Sequence, residues 1–199
     1  MANTDRPRGA VPVRYIGGAP YNGAATPYSV DSSNGTAIGV GDYMIRESDG
    51  NVAPYTGTGG GDLLGVCVSV GTNAQIYADP DNLSRRYLPA STAGTVLIAD
   101  ASDIVFEIQE DAAGTALVAT DAGANVDVSA AAPNTTTGNS NHQILRASIT
   151  TSTAQLRLLR LVPREDNAHG DWAKWEVLIN EHVYKATAEI GRASCRERV

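Results

Sequence analysis

The chain has 199 residues, of which 42% are apolar and 19% charged, and its formal net charge is −7. This acidic balance argues against non-specific nucleic-acid binding and attachment to anionic membranes, since both need clustered Lys and Arg. The chain contains only two lysines, which excludes a coiled coil, and it has no apolar run of the ~20 residues that span a membrane. Residues 1–12 lack the apolar core of a signal peptide, so we expect synthesis in a cytoplasm.

The last ten residues differ in composition from everything before them. Residues 190–199 supply three arginines and Cys195, one of only two cysteines. Their back-translation resembles a sequencing adapter read in frame, which predicts a non-native tail; a basic solvated tail is the alternative. Without these three Arg and one Glu, the formal net charge goes from −7 to −9. We expect the native sequence to be lost shortly after Glu189.

Short β-strand patterns follow one another along the chain, and no helical stretch of ten residues separates them. The first half carries five such patterns, at residues 11–16, 35–40, 43–47, 63–70 and 75–77. Asp49-Gly50 follows the third pattern and provides the positive φ values of a tight hairpin turn. The second half carries seven, at residues 95–99, 104–108, 116–119, 126–128, 143–149, 155–162 and 175–179.

This spacing of strands and turns predicts an all-β fold. It is typical of an antiparallel β-sandwich or barrel, jelly-roll-like, with very little helix. The predicted organisation is a flexible N-terminal arm (1–12), a first β unit (13–78), a connection (79–92), a second β unit (93–189) and the non-native tail (190–199). The two units are either two small β domains or halves of one continuous sandwich. We expect the polar arm to be disordered alone.

Candidate catalytic and metal-binding residues form no known constellation. The histidines, His142, His169 and His182, lack HxH or HExxH spacing, and the Gly-rich loop at 57–62 lacks the Lys of a phosphate loop. No Gly-x-Ser-x-Gly elbow occurs. Cys67 lies in an apolar run that is typical of a buried strand. We therefore predict a protein that is not an enzyme and has no cofactor and no metal.

Four residues are candidates for an interface. Trp172 and Trp175 are the only tryptophans, and their close spacing favours one ring in the core and the other at a subunit contact. A carbohydrate platform formed by both rings with Tyr184 is the alternative. Arg6 and Arg8, in the predicted arm, are the other two candidates.

Several stretches of the second half resemble structural proteins of tailed bacteriophages, especially marine ones. They are residues 100–111, 117–127, 134–140, 156–167 and 175–182. The most specific part is Asn180-Glu181-His182 after a Trp-containing strand. The resemblance covers about residues 76–185, and the first half is compatible by pattern only.

This resemblance implies a capsid-stabilising or head-decoration protein without catalytic residues. Such a protein binds the major capsid protein on the outside of a mature capsid, often as a trimer, and many modest contacts lock neighbouring capsomers. It would be located on the virion after assembly in the host cytoplasm. We expect the arm at residues 1–12 to order there, on the capsid or on a neighbouring subunit. The alternatives are a head-fibre, tail or host-glycan-binding virion component, and a β-fold hydrolase. The hydrolase lacks support because no acid–base or nucleophile set is present.

Overall fold

The computed structural model describes residues 3–57, 61–71 and 86–185. These residues contain eleven strands, no α-helix and a single three-residue 3-10 helix, Ala119–Asp121. None of their helices is long and apolar enough to cross a membrane. The strand predicted at 75–77, the first part of the 79–92 connection and the 190–199 tail lie outside the described residues.

The strands form two antiparallel sheets, which confirms the all-β sandwich. In chain order they are β1 (Val11–Tyr15), β2 (Thr26–Val30), β3 (Tyr43–Arg46), β4 (Val52–Pro54), β5 (Gly65–Val70), β6 (Gly94–Ala99), β7 (Ile104–Gln109), β8 (Asn125–Ser129), β9 (Gln143–Thr150), β10 (Leu156–Leu161) and β11 (Lys174–Ile179). One sheet has the order β1-β7-β11-β10-β8-β9 and the other β2-β6-β5-β3-β4. Both sheets end in edge strands, so the fold is not a closed barrel.

Strands from before and after residues 72–85 pair directly. β1 pairs with β7, while β2 and β5 flank β6. The main core lies between the sheets, where Tyr43 and Val66 of the five-stranded sheet pack with Phe106, Trp175 and Val177 of the six-stranded sheet. The two sheets therefore share one core.

A second apolar cluster covers the other face of the five-stranded sheet. Met44, Cys67 and Ile98 point into it and are closed over by Ile38 and Leu88. The backbones of Ile38 and Leu88 exchange two hydrogen bonds of 2.8 Å. The strand predicted at 35–40 is wrong, because this segment makes only isolated bridges and serves as a cover.

Three further elements differ from the sequence prediction. β4 was not among the predicted strands, although it directly follows the predicted hairpin turn at Asp49-Gly50. β2 was not predicted. It contains Pro27, which cannot donate to a ladder, and it lies at a sheet edge, where a proline is tolerated. The strand predicted at 116–119 is wrong. There Leu117 is buried and its N–H donates to Glu110 Oε2 (3.4 Å), and the chain then enters the 3-10 helix.

The N-terminal segment, residues 3–10, crosses the start of β3 at a glycine contact. Gly9 and Gly41 both have positive φ, 69° and 98°. A Cβ on Gly9 would overlap the Gly41 carbonyl, and one on Gly41 would overlap the carbonyl of Arg8. Ala10 N–H donates to Gly41 O (2.9 Å). Only glycine permits this approach, so the pair determines where the segment meets the sandwich.

Candidate functional site

The outer face of the six-stranded sheet carries two neighbouring buried carboxylates. Glu107 of β7 and Glu176 of β11 are direct cross-strand partners and are 9% and 6% exposed. Like charges in such a position repel. Glu176 accepts bonds from Arg14 Nη2 (2.6 Å) and Arg160 Nη2 (2.8 Å). These bonds outweigh the effect of burial and lower the pKa of Glu176, so it stays ionised.

Glu107 is also paired with two arginines, which approach it from the other side. Arg164, in the connection after β10, approaches its Oε1 to 3.2 Å, and Arg8 of the N-terminal segment approaches to 3.5 Å. Four guanidinium groups therefore surround two carboxylates. The side chains of Arg8 and Arg160 are about half exposed. This cationic face (residues 8, 14, 160 and 164 around 107 and 176) presents excess positive charge on an acidic chain.

A pocket of about 260 Å³ lies beside the cationic face. It forms between the N-terminal segment and the connection from β10 to β11. Arg6, Arg164 and Lys174 line it together with Asp166 and the half-buried Trp172. Three cations against one carboxylate give this basic pocket a positive lining.

Two asparagines hold the walls of the basic pocket together. Asn3 Nδ2 donates to the carbonyls of Ala168 (2.8 Å) and Asp171 (2.9 Å). Asn167 accepts from the Lys174 N–H (2.9 Å) and donates to the Lys174 carbonyl (2.9 Å). The segment that was predicted as a flexible arm is thus bound to its own chain in this conformation. Ordering on a capsid or a neighbouring subunit stays a prediction.

The cations of the basic pocket are unequally paired. Arg164 bonds to Asp166 (3.0 Å) as well as to Glu107. Within the described ranges, the Arg6 guanidinium and the Lys174 ammonium have no ion pair and no hydrogen bond; their bonds are made by backbone atoms. Burial and the nearby charges of Arg164 and other cations lower the pKa of Lys174. The pocket therefore has a positive potential that its own acids do not cancel.

The four predicted interface residues have different surroundings. Arg6 and Trp172 line the basic pocket, and Arg8 pairs with Glu107 beside it. Trp175 is fully buried in the main core, so its ring offers no surface to a partner in this conformation. The Tyr184 hydroxyl lies 2.9 Å from the Tyr28 hydroxyl, and Tyr28 belongs to β2 of the five-stranded sheet. The three aromatic side chains therefore do not assemble the alternative carbohydrate platform.

An interior acid–base pair was missed from the sequence. Asp42 and His142 are 0% and 2% exposed. His142 Nδ1 accepts the Tyr43 N–H (3.2 Å), and Nε2 lies 3.6 Å from Asp42 Oδ1. Asp42 Oδ2 accepts from the Gly39 N–H (2.7 Å). Burial raises the pKa of Asp42 to about 6 and lowers that of His142 to about 4.

This pair can store a proton, and among the residues that the structure describes no nucleophile faces its imidazole. One nitrogen of His142 faces a backbone N–H and the other faces a carboxylate. The nearby Ser140 hydroxyl accepts the backbone N–H of His142 (2.9 Å). A nucleophilic triad needs the base to face the hydroxyl, and this arrangement does not provide that.

One group of carboxylates has metal-ligand chemistry. In the described part of the chain, Asp31, Glu47 and Asp49 place ligand oxygens within 4.8 Å of one another. Oxygen donors of this kind suit a hard divalent cation. Asp31 and Asp49 already accept backbone N–H groups of their own turns. Their role in those turns accounts for their positions.

The chain has no match among protein-family models, curated proteins or solved structures. The resemblance to phage structural proteins therefore stays a prediction from the sequence.

Proposed function

We propose that this protein is a non-enzymatic virion structural protein that binds the outer surface of a phage capsid and stabilises it. The observation that carries the proposal is the cationic face, which lies on a chain of net charge −7. Complementary charge guides and orients association with an acidic protein surface. The proposed partner is the major capsid protein, met on the virion surface after assembly in the host cytoplasm.

The buried carboxylates support this role by fixing the arginines in place. Glu176 holds Arg14 and Arg160 in charge-assisted bonds. Side chains that are ordered before binding lose less conformational entropy when a partner docks. A homo-oligomer, for which we favour a trimer, would repeat this contact and raise its avidity without any new interaction.

Co-sedimentation of the full chain with expanded and unexpanded phage heads tests the proposal. The heads would be assembled from the major capsid protein encoded beside this chain. We expect saturable binding to expanded heads and a raised heat resistance of those heads. Arg160→Glu should weaken binding at least tenfold, because it reverses an exposed charge of the cationic face.

Arg46→Glu is the matched control, since Arg46 is an exposed arginine of β3 on the other sheet. It should leave head binding unchanged. Absence of binding to both kinds of head would overturn the proposal and favour a head-fibre, tail or host-glycan-binding component. Equal loss with both variants would show that net charge, rather than this face, determines binding.

A further inference from the structure

The basic pocket has unmet capacity for an anion. Arg6 and Lys174 line it without an ion pair or a side-chain hydrogen bond among the described residues. The pKa of Lys174 is lowered by burial and by repulsion from Arg164 and Arg8, which together outweigh the attraction of Glu107 and Asp166. A bound anion would relieve that repulsion, which gives it a favourable interaction that water alone does not provide. The first property expected of a ligand is therefore one negative charge.

The pocket also has an aromatic wall that is held in a strained conformation. Trp172 lines it and has φ +61°, a left-handed value that is unfavourable for a bulky side chain. The bond from Asn3 to the Asp171 carbonyl and the bond from Ala173 N–H to Gly170 O (3.1 Å) hold the chain on either side. Strain of this kind persists where the surroundings enforce it and is concentrated at functional sites. The second expected property is an apolar ring face.

The basic pocket is also lined by a hydrogen-bond acceptor, the carboxylate of Asp166. Both carboxylate oxygens of Asp166 are oriented by Arg164, and the side chain is 66% exposed. A fixed, exposed carboxylate repels a second carboxylate but accepts hydrogen bonds from hydroxyl groups. A volume of about 260 Å³ accommodates about one ring-sized ligand. The third expected property is a set of hydroxyl donors on a compact ligand.

A sugar acid combines these three properties. We propose that the basic pocket binds a single sugar residue that carries one carboxylate. Arg6 and Lys174 bind the carboxylate, Asp166 accepts bonds from ring hydroxyls, and Trp172 packs against the C–H face of the ring. This activity goes beyond capsid binding and uses residues that the head-binding variants leave unchanged. An acidic peptide fits less well, because its further carboxylates would meet Asp166.

Tryptophan fluorescence tests this directly, because Trp175 is fully buried and Trp172 lines the pocket. The full chain would be titrated with sialyllactose and, separately, with its neutral counterpart lactose. We expect a saturable change in emission with sialyllactose only, weakened by high salt. Trp172→Phe should remove the signal, and calorimetry on that variant should show weaker binding.

The chain's two described lysines provide a matched pair of variants. Lys174→Met should weaken sialyllactose binding at least tenfold, whereas Lys185→Met, at an exposed position outside the pocket, should leave it unchanged. If Lys174→Met lowers Tm, Arg6→Met replaces it, because Arg6 bonds to the chain through its backbone N–H. Lys174→Met should still bind phage heads, which separates this inference from the proposed function.

Three results would overturn the inference. One is equal affinity for lactose and sialyllactose, and another is no saturable binding of either sugar. The third is displacement of sialyllactose by a short Glu-rich peptide at the same concentration, which would assign the pocket to an acidic protein segment.

Discussion

Glu176 on the outer face and Asp42 in the interior are both more than nine-tenths buried, yet their pKa values shift in opposite directions. Burial raises both. At Glu176, bonds from Arg160 and Arg14 reverse that effect, whereas at Asp42 the bonds from Ser140 and a backbone N–H only reduce it. Bonds from charged partners therefore determine which form of Glu176 the fold favours, whereas deeper burial without such partners determines it for Asp42.

The two regions differ in whether their side chains keep the same charge as pH changes. On the outer face, Glu176 stays ionised because it is paired with arginines, which never lose their charge near neutral pH. The interior pair gains and loses protons between about pH 4 and 6. A binding surface needs the first behaviour, and the following experiments test whether the two regions are as independent as this comparison implies.

The largest effect is expected at the contact that joins the two regions. Gly41 precedes Asp42, and a Cβ on it would overlap the carbonyl of Arg8. Gly41→Ala should cost about 3 kcal/mol or more of unfolding free energy, measured by denaturant titration, because strain and overlap add. Gly50→Ala is the control: it also has positive φ (92°) but open space around it, and should cost about 1 kcal/mol. Equal losses would refute the close contact.

The second largest effect on the free energy of unfolding is expected from the pH dependence of Asp42 and His142. The pKa of Asp42 is raised from 3.8 to about 6, so its contribution to stability is full below pH 4 and is lost as pH rises to 6. The pKa of His142 is lowered from 6.5 to about 4, so the unfolded chain binds its proton more tightly and stability rises over nearly the same range. The two slopes oppose each other, and the wild-type curve should be nearly flat between pH 4 and 6.

Single substitutions should separate these slopes. In Asp42→Asn only the His142 effect remains, so the free energy of unfolding should rise from pH 4 to 6.5. In His142→Gln only the Asp42 effect remains, so the free energy of unfolding should fall from pH 4 to 6. At pH 7, Asp42→Asn should gain on the order of 3 kcal/mol at most, since it removes the cost of ionising Asp42. Denaturant titrations at five pH values measure this. Parallel curves for both variants would contradict the assignment.

A smaller effect is expected when the outer face loses a carboxylate. Glu176→Gln should cost about 1–2 kcal/mol at pH 7, because Arg14 keeps a partly buried guanidinium without its charged partner. The pKa of Glu176 is lowered, so this stabilisation is present above the unfolded pKa and is lost as the solution is acidified below it. Glu165→Gln, at an exposed position after β10, should change nothing. A cost that persists at pH 2 would show that the loss is not electrostatic.

The smallest effect is expected for an exposed arginine of the same face. Arg160→Ala should shift Tm by less than about 2 °C, because more than half of its side chain meets solvent. The same variant should still weaken head binding clearly. A large loss of stability would make Arg160 structural and remove the distinction between folding and binding on this face.

The sequence predicted most strands because alternation and turn residues are local signals. The orientation of the Arg160 side chain is a feature that these local signals do not predict. In strict alternation it would point into the core with Leu156 and Leu158, but an irregular register between Leu158 and Arg160 turns it outward. Such a bulge depends on the partner strand, which periodicity does not contain.

The candidate site was partly predictable for a similar reason. Arg6, Arg8 and Trp172 were singled out by type, but their meeting depends on Asn3 bonding across 165 residues to Ala168. Separations of this size cannot be read from local pattern. The interior pair was missed because Asp42 looks like a turn residue after Gly41.

The contact between Asn3 and Ala168 also bears on how the chain acquires its shape. β1 cannot pair until β7, about 90 residues later in the chain, is available. The N-terminal segment likewise cannot bind its site until the connection before β11 is available. Such high contact order predicts folding in milliseconds to seconds rather than microseconds. During synthesis, the first strand leaves the ribosome long before its neighbour exists, and unpaired strands at that stage are prone to aggregation. We therefore expect slower translation and lower temperature to raise the soluble yield.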